Sequence, residues 1–97
     1  MSIQVIVELD VKPDRRNELL ALFANLLQQT RARDGNEGVR VLSELDPSTK
    51  ILLVEQWLSL NDYEKYNHWR EQRGDLAMLG IMLNKPASRR YFNFIQV

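Results

Sequence analysis

Hydrophobic and polar positions change period several times along the chain, and each change marks an element. From Ile3 to Val11, the residues Ile3, Val5, Val7, Leu9 and Val11 alternate with Gln4, Ile6, Glu8 and Asp10. A period of two rich in β-branched residues predicts a strand, because successive side chains leave a strand on opposite faces. Lys12-Pro13-Asp14 ends it. Proline suits the first turn of a helix, where its missing N–H costs nothing, and Asp14 and Glu18 stand near the positive end of the helix dipole. From Leu19 the period becomes helical: Leu19, Leu20, Leu22, Phe23, Leu26 and Leu27 trace a wide stripe that should pack on a sheet. Arg31 and Arg33 favour a C-terminal end, and Asp34-Gly35-Asn36 tolerates a left-handed cap, so this helix is expected to stop near Arg33.

Gly38 to Leu45 reads as a second strand and Ile51 to Leu58 as a third, joined by the polar turn Asp46-Pro47-Ser48-Thr49-Lys50 with proline where a type I turn accepts it. Ile51-Leu52-Leu53-Val54 is apolar on both sides, which predicts a central strand covered on both faces. Asn61 is the expected cap of a second helix, with Glu64 placed to reach back to it. On that helix Tyr66, Trp69 and Arg73 share a face by spacing. Gly74-Asp75 interrupts it, Leu76 to Leu83 forms a short third helix or an apolar lid, and Arg89 to Val97 alternates again as a last strand.

The order strand, helix, strand, strand, helix, strand predicts an α+β fold, the ferredoxin-like βαββαβ sandwich with a four-stranded antiparallel sheet and helices on one face. Apolar positions on the other sheet face call for a cover. A second copy of the chain, sheet against sheet, is the economical one, so a homodimer through the sheet face is expected.

Composition narrows the function classes. Ninety-seven residues, 44% apolar and 27% charged, make a single folded domain spanning 1–97. Thirteen basic and thirteen acidic residues cancel without a long run of either sign, which argues against a nucleic-acid partner or an anionic lipid surface. The absence of cysteine excludes disulfides, thiolate metal sites and thiol nucleophiles. One histidine and no paired carboxylates beside it give no expected metal site, and no glycine-rich loop follows a strand to cradle a phosphate. No apolar run approaches transmembrane length and Met1 to Val5 lack signal-peptide form, so a cytoplasmic location without a membrane partner is expected.

Candidate chemistry concentrates between Leu52 and Trp69, which hold both tryptophans, two of the three tyrosines and the only histidine. Glu55 and Trp57 share a strand face. They read as substrate-binding wall residues, or else as a core indole and a carboxylate held by an arginine at the dimer interface. Tyr66 and Trp69 suit stacking on a flat ligand, with Tyr66 as donor or acid toward a phenol or quinone oxygen; the alternative is a packing face. His68 is the residue type that titrates near neutral pH, hence the natural base for a phenolic proton, unless it is merely solvated. Arg73 could stabilise an anionic substrate or a superoxide-like intermediate, or lie on the surface. The candidates are therefore Tyr66, His68 and Arg73 for catalysis and Glu55, Trp57 and Trp69 for substrate binding.

Several short motifs carry a resemblance. Val11-Lys12-Pro13-Asp14-Arg15 before an amphipathic helix, Glu37-Gly38 opening the second strand, Leu45-Asp46-Pro47 in the hairpin, and Glu55-Gln56-Trp57-Leu58-Ser59 before a helix resemble the antibiotic biosynthesis monooxygenase domain of the dimeric α+β barrel superfamily. The resemblance implies small homodimers that oxygenate polycyclic or quinol-type substrates without metal or flavin, the substrate itself passing an electron to oxygen. Relatives in the superfamily degrade haem, and others have no established activity. Two departures stand out: Tyr66 and Glu71 occupy positions where many members carry histidine, and the first strand lacks the asparagine of the haem-degrading pattern. The expected function is a cofactor-independent monooxygenase-like protein acting on a flat aromatic phenol or quinol. The alternative is a non-catalytic dimeric module that binds a small molecule or serves as a structural partner.

Overall fold

The computed structural model describes residues 2–97. The first alternation becomes strand β1 (Ile3–Asp10), with Val5, Val7 and Leu9 buried and the intervening side chains half-exposed. Strand β3 (Lys50–Trp57) repeats the pattern, burying Ile51, Leu53, Glu55 and Trp57. The two pair antiparallel from Ile3 opposite Trp57 to Asp10 opposite Lys50. Val5 therefore stands beside Glu55, and Val7 beside Leu53. Strand β2 (Asn36–Ser43) adds to the far edge of β3, and strand β4 (Ser88–Asn93) to the far edge of β1. The sheet order is β2-β3-β1-β4, the ferredoxin-like arrangement, with β3 interior as its two-sided apolar run predicts.

Pro13–Arg15 forms a single 3-10 turn before helix α1 (Arg16–Arg31), which buries Leu19, Phe23, Leu26, Leu27 and Thr30. Helix α2 (Leu60–Arg73) buries Tyr63, Tyr66 and Arg70. Its cap is Ser59, not Asn61. The chain is still extended at Ser59 and helical from Leu60, so Asn61 already lies within the first turn. The Ser59 hydroxyl accepts the Asp62 N–H at 3.1 Å and donates to the Asp62 carboxylate at 2.9 Å. Gly35, at φ +84°, packs against this end: a Cβ there would lie 2.5 Å from the Asp62 carboxyl carbon.

Gly74, at φ +83°, stops α2 and starts the short helix α3 (Asp75–Gly80), so the apolar segment from Leu76 is helical through Gly80 and then turns. That turn is tied to the end of β1: Val11 bridges Leu83, Lys12 N–H donates to Met82 O at 2.9 Å, and Asn84 N–H donates to Asp10 O at 2.8 Å. The last strand ends at Asn93 rather than Val97, because Asn93 stands opposite Ile3 and β1 supplies no partner beyond it. Strand β2 ends at Ser43 and leaves Leu45 fully exposed, and the following turn contains a cis Asp46–Pro47 bond in place of the expected type I turn.

Both long helices bury their stripes with the Val5, Val7, Leu9 face of the sheet, and the core lies there. On the opposite side Leu42 and Phe92, with Phe94 and Ile95 beyond the strand, remain exposed. Among the described residues no helix is long and apolar enough to cross a membrane.

Candidate active site

Between the sheet and the helices the core opens into a cavity of about 520 Å³. Leu9 and Leu53 line it from the sheet, Phe23 and Leu27 from α1, and Leu76 and Leu79 from α3. Polar atoms enter from β3, α2 and β4 through Glu55, Tyr63, Tyr66, Asn67, Arg70 and Arg89, and these divide into two groups.

In the first group the hydrogen-bonding capacity is incomplete. Glu55 is 2% exposed, and Trp57 Nε1–H donates to its Oε1 at 2.9 Å. The other carboxylate oxygen has no hydrogen-bond partner among the described residues. Burial raises the Glu55 pKa, opposed by the Trp57 hydrogen bond and the Arg89 and Arg70 charges. Arg89 Nε–H donates to the Tyr63 hydroxyl at 2.8 Å, and its Nη2 lies 3.5 Å from the Asn67 amide oxygen. The Tyr63 hydroxyl receives this bond, and its own proton has no acceptor among the described residues. Burial pushes the Tyr63 pKa up to about 12; the Arg89 charge opposes this and the Glu55 charge adds to it.

In the second group every polar atom is engaged. Arg70 is 3% exposed and donates Nε–H to the Tyr66 hydroxyl (3.0 Å), Nη1 to Gln29 (2.9 Å) and Asp75 (2.8 Å), and Nη2 to Leu26 O (2.6 Å) and Thr30 Oγ1 (3.1 Å). Thr30 and Tyr66 hydroxyls are 2.8 Å apart, and Thr30 also reaches Leu26 O at 3.2 Å. With Thr30 donating to that carbonyl, the phenol donates to Thr30 and every hydroxyl proton is used. Burial raises the Tyr66 pKa, opposed by its hydrogen bonds with Thr30 and Arg70.

The six sequence candidates are therefore distributed, not gathered. Glu55 and Tyr66 line the cavity, Tyr66 with its ring since its hydroxyl is tied into the Arg70 network. Trp57 is fully buried and does not line the cavity; it supports the site by holding Glu55 and by packing on the Tyr66 and Tyr63 rings, whose centroids lie 4.9 and 5.8 Å from its own. His68 is exposed and does not line the cavity. Trp69 also lies outside it, with the Arg33, Arg70 and Arg73 guanidiniums 4.4, 4.7 and 4.9 Å from its ring centroid. Arg73, its side chain 47% exposed, pairs with Asp75 at 3.1 Å, away from the cavity.

Tyr63, Asn67, Arg70 and Arg89 are the cavity residues that the sequence candidates omitted. A signal for three of them existed: Tyr63, Tyr66, Asn67 and Arg70 follow helical spacing as well as Tyr66, Trp69 and Arg73 do. Arg89 shares its strand face with Tyr91, two residues on. Among the described residues no three His, Cys, Asp or Glu side chains gather to hold a metal ion.

Sheet order, register and helix placement define an α+β protein of ferredoxin-like fold. The chain belongs to the antibiotic biosynthesis monooxygenase family, whose model matches residues 2–73. No curated protein matches it in sequence. Among solved structures it is similar to Rv0793 of Mycobacterium tuberculosis, 22% identical with a TM-score of 0.87, over 100% of this chain and 98% of that one. A conserved protein of Methanosarcina mazei is 19% identical with a TM-score of 0.88, over 96% and 92% of the two chains. A Streptomyces coelicolor monooxygenase in complex with nanaomycin D is 17% identical with a TM-score of 0.82, over 99% and 89%. At these identities the likeness carries the fold alone.

Proposed function

We propose that the cavity binds a flat aromatic phenol or quinol and that the protein oxidises it with molecular oxygen as a cofactor-independent monooxygenase. The observation that carries this reading is the cavity itself: about 520 Å³, apolar on most sides, with a buried carboxylate and a tyrosine–arginine pair at one end. That volume suits a ligand of a few fused rings, since small-molecule pockets run from about 300 to 1,000 Å³. Family membership supports the reaction class, and a monooxygenase of the same fold holds nanaomycin D. In the net reaction one oxygen atom replaces a ring hydrogen and ends as a carbonyl, the other leaves as water, and the substrate supplies all the electrons. The protein's part is to exclude water and hold the phenol, with Glu55 as proton acceptor and Arg89 and Tyr63 beside the developing anion. His68, Trp69 and Arg73 have no part in this reading, because they lie outside the cavity.

The test is oxygen uptake under air with a panel of dihydroxynaphthalenes and anthrones, with no metal or flavin added, while product spectra are followed. Protein-dependent uptake with formation of a quinone is expected. If no member turns over, the second reading takes its place, a small-molecule-binding module. That reading is favoured by two observations: the sole histidine lies outside the cavity, and the Tyr66 proton is already used within the protein.

The partner in this proposal is a second copy of the chain covering the sheet face that leaves Leu42 and Phe92 exposed. Light scattering at micromolar concentration should give twice the chain mass, and a monomer mass would defeat it.

A further inference from the structure

Glu55 is held from one side only. The Trp57 indole N–H fixes Oε1 at 2.9 Å, the residue is 2% exposed, and Oε2 is left without a partner among the described residues where Glu55 borders the cavity. Oε2 is not sealed in, since Asn36 Nδ2 is the one fully buried side-chain polar atom without a partner among the described residues. A ligand that fills the cavity shuts this oxygen off from water; an acceptor then left unpaired is costly, and an ionised carboxylate can only accept. The occupant of the cavity is thus favoured if it brings a hydrogen to that oxygen.

From this arrangement we infer that Glu55 selects its ligand by hydrogen-bond polarity, taking an aromatic molecule with a free hydroxyl over one whose oxygen carries no hydrogen. The inference rests on the cavity reading above, which already takes a phenol or quinol, and adds to it the group that enforces the choice: one carboxylate oxygen that ranks hydroxyl-bearing ligands ahead of ethers, ketones and quinones. It also gives the site a direction. A phenolic substrate donates to Oε2, whereas the carbonyl of its oxidised product meets that oxygen lone pair to lone pair, so the carboxylate that holds the substrate repels the product.

The groups facing Glu55 decide when this operates. Arg89 from β4 and Arg70 from α2 favour the ionised carboxylate, and Tyr63 and Tyr66 from α2 stand beside it as neutral phenols. On the sheet its neighbours are Val5 and Val39, and α1 lines the cavity with Phe23, Leu26 and Leu27 only, so neither adds a titrating group. Burial opposes ionisation. Selectivity for a hydroxyl therefore strengthens as pH rises through the raised Glu55 value. It fades below, where a protonated carboxyl can itself donate to an ether oxygen.

The probes are 2-naphthol and 2-methoxynaphthalene, which share a ring system and differ in the hydrogen at issue. Dissociation constants are measured by calorimetry for the wild type and Glu55→Gln at about pH 8 and about pH 5. In the variant the Trp57 N–H keeps the amide oxygen on its own side, so the NH₂ turns to the cavity and acceptor becomes donor. At the higher pH the wild type should bind 2-naphthol about tenfold to a hundredfold more tightly than the ether, the range for a hydrogen bond to a charged group. The preference should shrink at the lower pH and be lost in Glu55→Gln. Equal affinities in the wild type at the higher pH, or a preference that survives in the variant, would overturn the inference while leaving the cavity reading in place. Binding of neither probe would overturn both. The wild-type ratio of the two dissociation constants at the higher pH decides the matter even if Glu55→Gln does not fold.

Discussion

Tyr63 and Tyr66 stand one turn apart on α2, both buried, and each hydroxyl receives an arginine N–H. Beyond that the two differ. Tyr66 meets Arg70, a guanidinium enclosed by α1 and α3 groups, and its remaining proton finds Thr30. Tyr63 meets Arg89, which comes from an edge strand, and neither its own proton nor Glu55 Oε2 has a partner among the described residues. The Arg70 cluster binds three helices to one another, while the Glu55–Tyr63–Arg89 group leaves bonds for something else to complete. Structural polar networks are closed, because unpaired buried groups cost stability. Open valences inside a cavity are where the proposed ligand would supply the missing partner.

The sharpest way to break this distinction is to open the closed side. Arg70→Met leaves Asp75 9% exposed with only the half-exposed Arg73 as partner, and should cost about 3 to 5 kcal/mol in urea unfolding. In the same experiment Tyr66→Phe removes one link and should cost about 1 to 3 kcal/mol. Losses within experimental error for both would show that the network holds nothing together.

A smaller effect should appear on the open side, with pH as the variable. Folding raises the Glu55 pKa above its ordinary 4.5, so the folded state binds that proton more tightly than the unfolded chain. The contribution to stability is fully present below 4.5 and is lost as pH rises through the raised value. Glu55→Gln does not titrate. Melting temperatures should therefore show the variant gaining on the wild type from acid pH upward and levelling once Glu55 is ionised. A gap that narrows with rising pH would mean that Arg89 and Arg70 outweigh burial.

Much of the fold was legible from residue order. Alternation at Ile3 to Leu9 and at Ile51 to Trp57 specifies strands with a buried side, the Leu19 to Leu27 stripe specifies α1, and Gly74 ends α2. Element ends were less legible where the decision is made by a neighbour. Ser59 caps α2 because the chain leaves β3 extended as far as that residue, and β4 stops at Asn93 because β1 begins at Ile3.

The site was legible only in part, and α2 shows why. Tyr66-Trp69-Arg73 and Tyr63-Tyr66-Arg70 are both plausible helical stripes of aromatic and basic residues, and spacing alone cannot rank them. The second faces inward because Gln29, Thr30 and the Leu26 carbonyl, some forty residues earlier, together with Asp75 supply the partners a buried guanidinium requires. Arg89 reaches Tyr63 through strand pairing that no local pattern records.

By itself the sequence determined the order of elements, the split βαβ topology and the family, since local periodicity and short motifs carry those. It also singled out Glu55 and Tyr66, which do line the cavity. Only the tertiary structure decided that the Tyr66 hydroxyl is closed, that His68, Trp69 and Arg73 lie outside, and that one Glu55 oxygen has no partner among the described residues. The physical reason is common to all three. Whether a buried polar atom is satisfied depends on groups brought from distant parts of the chain, and that pairing exists only after the sheet and helices have packed.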